Sequence, residues 1–241
     1  MRTSRSLGLT LAACVTLAIG GFFGARLATS RADAKSPSPS LAQTASVLRV
    51  PHLTAGIVLD GDQDDPGWRG AVAHTGPFLF PNGSEARPQS QARAAWGDGH
   101  LYLSLYAADE DLRATTRAPD SPPGDDDSFH VTFTRGATEW DFDVSAAGVI
   151  TDGVRTGGGP VDTSWDSGAH VSVERDGTMN DPRDNDEEWL LELAIPLDAI
   201  GLGAEEGARV GLAIRRCDTL KSGEHVCAGW GEAGTGAVEL L

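Results

Sequence analysis

The sequence predicts an all-β protein built as an antiparallel β-sandwich, preceded by an N-terminal export signal or anchor helix. Three observations predict it. Short segments alternate apolar and polar residues, and the 30 Gly and 13 Pro of the chain crowd between them. Beyond the N-terminal region, only Asp198 to Leu202 hints at a helical turn. Period-two alternation is the pattern of half-buried antiparallel strands. Many short strands joined by Gly-rich turns pack as two layers, of immunoglobulin-like or jelly-roll type.

The elements follow in order. Arg2 and Arg5 precede an apolar run from Leu7 to Phe23, the layout of an export signal. Cleavage after Ala34 and retention as a membrane anchor both fit residues 1–34. Leu11-Ala12-Ala13-Cys14 also matches a lipoprotein processing box, although apolar residues continue past the cysteine. The chain is therefore expected outside the cytoplasm, in the periplasm, at the cell surface or beyond it. Residues 35–50, opening Lys-Ser-Pro-Ser-Pro-Ser, read as an extended Pro/Ser linker, and residues 51–241 as the sandwich.

Within the sandwich, Ile57-Val58-Leu59 predicts a short strand. It runs into a turn of Asp60, Gly61, Asp65, Pro66 and Gly67, with Trp68 as a plug seated in the core. Leu101, Leu103, Leu105 and Ala107 then point one way along a strand. Phe129, Val131 and Phe133 repeat the pattern, as do Trp140, Phe142 and Val144. Trp189, Leu191, Leu193 and Ile195 form another such row, and Val210, Leu212 and Ile214 the last. Trp68, Trp140 and Trp189 are expected in the core. Trp165 and Trp230 lie among small or polar residues and are expected as exposed stacking platforms, while Trp96 fits either role.

Charge narrows the partners. Removing residues 1–34 takes away four Arg and one Asp, leaving 15 basic and 34 acidic side chains, a net charge of −19. Such a surface repels nucleic acid and anionic lipid and suits neutral ligands or Ca²⁺. Cys217 and Cys227 are the two cysteines of the exported part. In an oxidising compartment such a pair forms a disulfide, and closing so short a loop stabilises by about 2–3 kcal/mol. Enzyme motifs are missing: the chain has no G-x-S-x-G and no H-E-x-x-H. Asp60, Asp62 and Asp64 have the first spacings of an EF-hand loop, but Asp65 and Ala71 stand where it needs Gly and Glu. They read as turn and capping carboxylates.

Taken in order, six segments resemble the family 9 carbohydrate-binding modules and the wider DOMON-like sandwiches. They are Leu59-Asp60-Gly61 with Asp65-Pro66-Gly67-Trp68; Ala95-Trp96-Gly97-Asp98-Gly99-His100-Leu101-Tyr102-Leu103 with Ala107-Ala108-Asp109; and Asp127-Ser128-Phe129-His130-Val131-Thr132-Phe133. Then come Phe142-Asp143-Val144-Ser145-Ala146-Ala147-Gly148, Trp189-Leu190-Leu191-Glu192-Leu193-Ala194-Ile195-Pro196, and Gly211-Leu212-Ala213-Ile214-Arg215-Arg216. The resemblance implies a sandwich over residues 56–240 that binds a polysaccharide or oligosaccharide without catalysis, with structural Ca²⁺ in several members.

The resemblance also locates a site and its departures. Gly124 matches a clamp tryptophan of sugar-binding relatives, His130 a glutamate, Asp143 an arginine and Arg215 a glutamine. Trp230 matches the second clamp tryptophan. A sugar site needs an aromatic face and fixed hydrogen-bonding groups, so His130, Asp143, Arg215, Trp230 and Trp165 are the candidate contacts. Asp125, Asp126 and Asp127 read as a solvated loop or, with Asp109 or Asp111, as part of a Ca²⁺ site. The run Asp181 to Glu188 reads as an exposed hairpin connection. Two other functions fit the same sandwich. One is a haem-binding electron-transfer domain, for which Met179 is the only methionine beyond the first residue. The other is an adhesion or structural module without a small ligand.

Overall fold

Every segment with period-two alternation from residue 101 onward forms a strand. The computed structural model of the chain describes residues 46–241; the expected export signal or anchor and Cys14 lie outside the described residues. In chain order the elements are β1 (Ser46–Val50), a one-turn helix α1 (Pro66–Arg69), β2 (Ala73–Pro77), β3 (Ser90–Gly97) and β4 (His100–Ala108). Next come β5 (Ser128–Arg135), β6 (Thr138–Ser145), β7 (Ile150–Thr156), β8 (His170–Asp176) and β9 (Glu188–Pro196). A 3-10 turn (Asp198–Ile200), β10 (Arg209–Thr219), β11 (His225–Trp230), a second 3-10 turn (Glu232–Gly234) and β12 (Gly236–Leu240) complete the chain.

Two sheets result. The first runs β1-β12-β10-β5-β6-β7, with β11 pairing the second half of β10; the other runs β2-β3-β4-β9-β8. All ladders are antiparallel except β1 with β12. That parallel pair corrects the linker boundary. Residues 46–50 are a strand rather than linker, because Leu48 and Val50 bury their side chains in the core once β12 supplies backbone partners.

The core lies between the sheets. Phe129, Val131, Phe133, Phe142, Leu212 and Ile214 face Leu101, Leu103, Leu105, Trp189, Leu191 and Leu193, all of them buried. Phe129 and Trp189 meet across the gap with ring centroids 4.9 Å apart. Each such side chain contributes about 1.5–3 kcal/mol by leaving water. Trp96 joins the core and donates its indole N–H to the Leu241 carbonyl at 3.0 Å. Trp140 packs against the core from a half-buried position. Cys217 and Cys227 face each other directly in the β10–β11 ladder, Cα atoms 4.2 Å apart, and form the expected disulfide.

The 57–68 segment departs from expectation twice. Residues 57–59 form no strand, and Trp68 is buried outside the main core. The neighbours of Glu192 in β9, Leu191 and Leu193, point into the core, so Glu192 points to the outer side of its sheet. There it receives the N–H groups of Asp60 and Gly61 at 3.0 and 2.9 Å. The Trp68 indole donates to its other oxygen at 2.5 Å. Gly61 has φ +96°, and a Cβ there would stand 2.6 Å from the Glu174 nitrogen, so the turn needs glycine to lie against β8. Asp62 donates its N–H to the Asp60 carboxylate, and Asp64 pairs with Arg69 at the surface, as turn carboxylates do.

Candidate functional site

Parity along the strands of the first sheet sets the site. With Phe129, Val131 and Phe133 turned inward, His130, Thr132 and Thr134 of β5 must face out. Register carries the rule across the sheet. His130 lies opposite Asp143 of β6 and Arg215 of β10, and Asp143 lies opposite Thr151 of β7. Directly opposed residues share a face, so Arg215, His130, Asp143 and Thr151 form one row. Ala213, Thr132, Asp141 and Gly153 form the next, and Thr134, Glu139 and Arg155 continue it.

Hydrogen bonds fix this ladder. His130 Nδ1 is 2.6 Å from an Asp143 oxygen, and its Nε2 is 3.2 Å from the Ser128 hydroxyl. A carboxylate only accepts, so Nδ1 carries a proton toward Asp143. The Thr132 hydroxyl donates to Asp141 at 2.8 Å. Arg155 bonds Glu139 at 2.6 Å and stands 3.6 Å from Asp141. Arg215 is exposed and forms no ion pair among the described residues. Its partner in β11 is Gly229, which has no side chain to cover it.

Two adjoining depressions occupy this face, of about 510 and 320 Å³, and share His130, Thr132 and Arg215. Gly231, Glu232 and Gly234 wall one, and Pro122, Val161 and Thr163 the other. Val161 closes over Gly153, where a Cβ would come within 2.6 Å of its side chain. From β10 to β7 the floor spans about 14 Å, three inter-strand spacings. The groove offers hydroxyls, carboxylates, an imidazole ring and a guanidinium group, with no Trp, Tyr or Phe among its lining residues.

Three of the five predicted contacts therefore meet, and two do not. Trp230 lies opposite Ile214, an inward residue, so its indole is on the inner side and packs against the core. It lines a separate depression with Leu79 and Phe80. Trp165 is not a free platform either: it packs against the core and meets Phe142 edge-on, centroids 6.1 Å apart. Asp141, Thr132 and Glu139 are site residues that the sequence reading passed over, although they share the parity of Asp143 and His130. Met179, the haem-ligand candidate, lies at the core edge with its sulfur 3.6 Å from an Arg117 guanidinium nitrogen.

The acidic runs also divide differently than expected. Asp125 is exposed, but Asp126 and Asp127 are buried, which corrects the solvated-loop reading. Burial opposes ionisation of Asp126, yet the N–H and hydroxyl groups of Thr116 and Thr115 outweigh it and hold its pKa below the ordinary value. Asp127 goes the other way: burial, then the Asp109 charge, push its pKa up despite N–H donors from Thr219 and Arg113. Asp186, in the run read as an exposed hairpin connection, is buried and accepts the N–H groups of Leu112 and Thr178 at 2.6 Å each.

No family model and no curated protein matches the chain. Solved structures do. A candidate carbohydrate-binding protein from Bacteroides uniformis superposes with a TM-score of 0.64 at 15% identity, over 81% of this chain and 99% of its own. A family 9 carbohydrate-binding module from Caldicellulosiruptor kristjanssonii, in complex with cellotriose, matches at a TM-score of 0.55 and 12% identity, over 81% and 93%. A family 9 module from the same organism, in complex with glucose, gives 0.52 and 14%, over 80% and 95%. At these identities the likeness is one of fold: the chain carries the sandwich of the family 9 modules.

Proposed function

We propose that the protein is a non-catalytic carbohydrate-binding module that takes a short stretch of polysaccharide or oligosaccharide in the groove on the outer face of the first sheet, outside the cytoplasm. The observation that carries this reading is the fixed row Arg215–His130–Asp143, flanked by Thr132 and Asp141, on a sandwich shared with two sugar-complexed modules. Sugar hydroxyls both donate and accept, and the row supplies carboxylate acceptors beside guanidinium and hydroxyl donors. With no large aromatic ring in the groove, hydrogen bonds replace stacking as the source of affinity. Contacts of this kind on one open face give dissociation constants of roughly millimolar to micromolar. The disulfide supports an oxidising compartment.

A glycan array followed by calorimetric titration of the best hit tests the proposal. Saturable binding that His130→Ala weakens about tenfold or more is the expected result. A folded protein that binds no glycan on the array would overturn it.

A further inference from the structure

The depression of about 320 Å³ beside the Arg215–His130–Asp143 row has two walls, both fastened to β7. On one side the Asp120 N–H donates to the Ile150 carbonyl at 3.4 Å, and the Thr151 hydroxyl donates to the Ser121 carbonyl at 2.8 Å. These bonds set Pro122 at the rim. On the other side Val154 and Asp162 exchange N–H···O bonds of 3.1 and 2.8 Å. The Asp162 carboxylate then accepts the N–H and hydroxyl of Ser164 at 3.0 and 2.6 Å. Val161 is thereby laid over Gly153, where a side chain would displace it.

Val161 is 40% exposed. A single exposed apolar side chain is ordinary on a protein surface. The setting of this one is not. Of the large apolar side chains exposed among the described residues, Val58, Leu79, Val161 and Leu241, it alone lines the groove. With Pro122 and Thr163 it gives the depression an apolar rim beside a polar floor.

The carboxylates of that floor already have partners. Asp143 holds His130 at 2.6 Å, and Asp141 accepts the Thr132 hydroxyl at 2.8 Å and lies 3.6 Å from Arg155. A carboxylate offers about four acceptor sites, so each still takes a neutral N–H, while neither presents an unpaired charge to a cation. Arg215 borders the same depression and only donates. Floor and rim together suit a group that carries a neutral donor, an acceptor and a methyl within one short span. A secondary acetamide is such a group.

We propose that the groove selects 2-acetamido-2-deoxy sugars, with the amide N–H on the Asp141 and Asp143 carboxylates, the amide carbonyl on Arg215 and the methyl against Val161 and Pro122. The inference rests on the sugar-binding reading of this groove and narrows it. A hydroxyl at the same carbon leaves the Val161 wall uncovered, and a free ammonium meets the Arg215 charge.

Calorimetric titration of the full chain with matched sugars tests it. The β-1,4 trimer of N-acetylglucosamine is compared with cellotriose, and N-acetylgalactosamine with galactose; the deacetylated glucosamine trimer is the cationic control. In at least one pair the acetamido sugar should bind about tenfold tighter, the low end for one added apolar contact, and tighter than the cationic trimer. Val161→Ser removes both methyls from the wall and should abolish most of that preference while leaving the affinity for the hydroxyl sugar unchanged. Circular dichroism checks that the variant is folded, and the wild-type pairs decide the matter even if it is not. Equal affinities within both pairs, tighter binding of the cationic trimer, or an undiminished preference in folded Val161→Ser would overturn the inference and leave the sugar-binding reading standing. So would binding of other glycans with none of an acetamido sugar. A folded chain that binds no glycan at all removes both.

Discussion

The Trp68 indole N–H donates across 2.5 Å to Oε1 of Glu192, a carboxylate with no exposed surface on the outer side of the β4–β9 sheet. With the N–H groups of Asp60 and Gly61 on its second oxygen, Glu192 anchors the turn that crosses this sheet. Removing the carboxylate leaves three donors without their acceptor. Hydrogen bonds to charged groups contribute about 1.5–3 kcal/mol each and do not add fully, so Glu192→Ala should cost about 4 kcal/mol in urea unfolding. Hydrogen exchange should show residues 57–68 losing protection first.

The same residue gives a pH dependence. Burial, the largest effect, raises the Glu192 pKa above the ordinary glutamate value, and the Gly61, Trp68 and Asp60 hydrogen bonds offset it only in part. A raised carboxyl pKa contributes stability that is fully present below the unfolded value and is lost as pH rises through the folded one. Glu192→Gln cannot titrate. The stability difference between wild type and Glu192→Gln should therefore shift against the wild type as pH climbs from acid toward neutrality. A difference independent of pH in melting experiments would contradict the assignment.

The disulfide prediction is simpler. The Cys217–Cys227 crosslink spans ten residues of sequence, a loop whose closure stabilises by about 2–3 kcal/mol. The double variant Cys217→Ala/Cys227→Ala should lose that much in chemical denaturation.

Sequence alternation was enough to read the inner faces of β4, β5, β6, β9 and β10, because each presents its apolar row to one core. The family resemblance put His130 and Asp143 in one site, and the β5–β6 register sets them side by side. The expectation failed at Trp230, because the face of a hairpin strand depends on where the turn fixes its register, and the turn at residues 220–224 gives no clue to that. Alternation missed β1, since Ser46–Val50 pairs with a strand at the far end of the chain. The burial of Asp127 and Asp218 was illegible for a similar reason: separate loops and strands bring those carboxyl groups to Asp109. Glu192 did leave a signal, as one acid inside the apolar strand Trp189–Pro196.

Trp165 and Trp230 separate packing from recognition. Trp165 meets Phe142 edge-on at the core boundary, so Trp165→Ala should cost about 2–4 kcal/mol of stability, near the low end for aromatic truncation because the ring is half-buried. Trp230 is turned to the inner side by its pairing with Ile214. Neither variant should change sugar affinity at temperatures where it remains folded. His130→Ala and Asp143→Ala break the 2.6 Å bond at the groove centre, and Arg215→Ala removes its free donor. Each should weaken binding about tenfold or more, equivalent to about 1.4 kcal/mol. The two former substitutions should combine less than additively, because each already disrupts the same pair. Calorimetric titration with the same glycan across the five single variants and the double variant His130→Ala/Asp143→Ala measures the pattern. Loss of affinity in Trp230→Ala with full binding in His130→Ala would move the site to the depression beside Leu79 and Phe80.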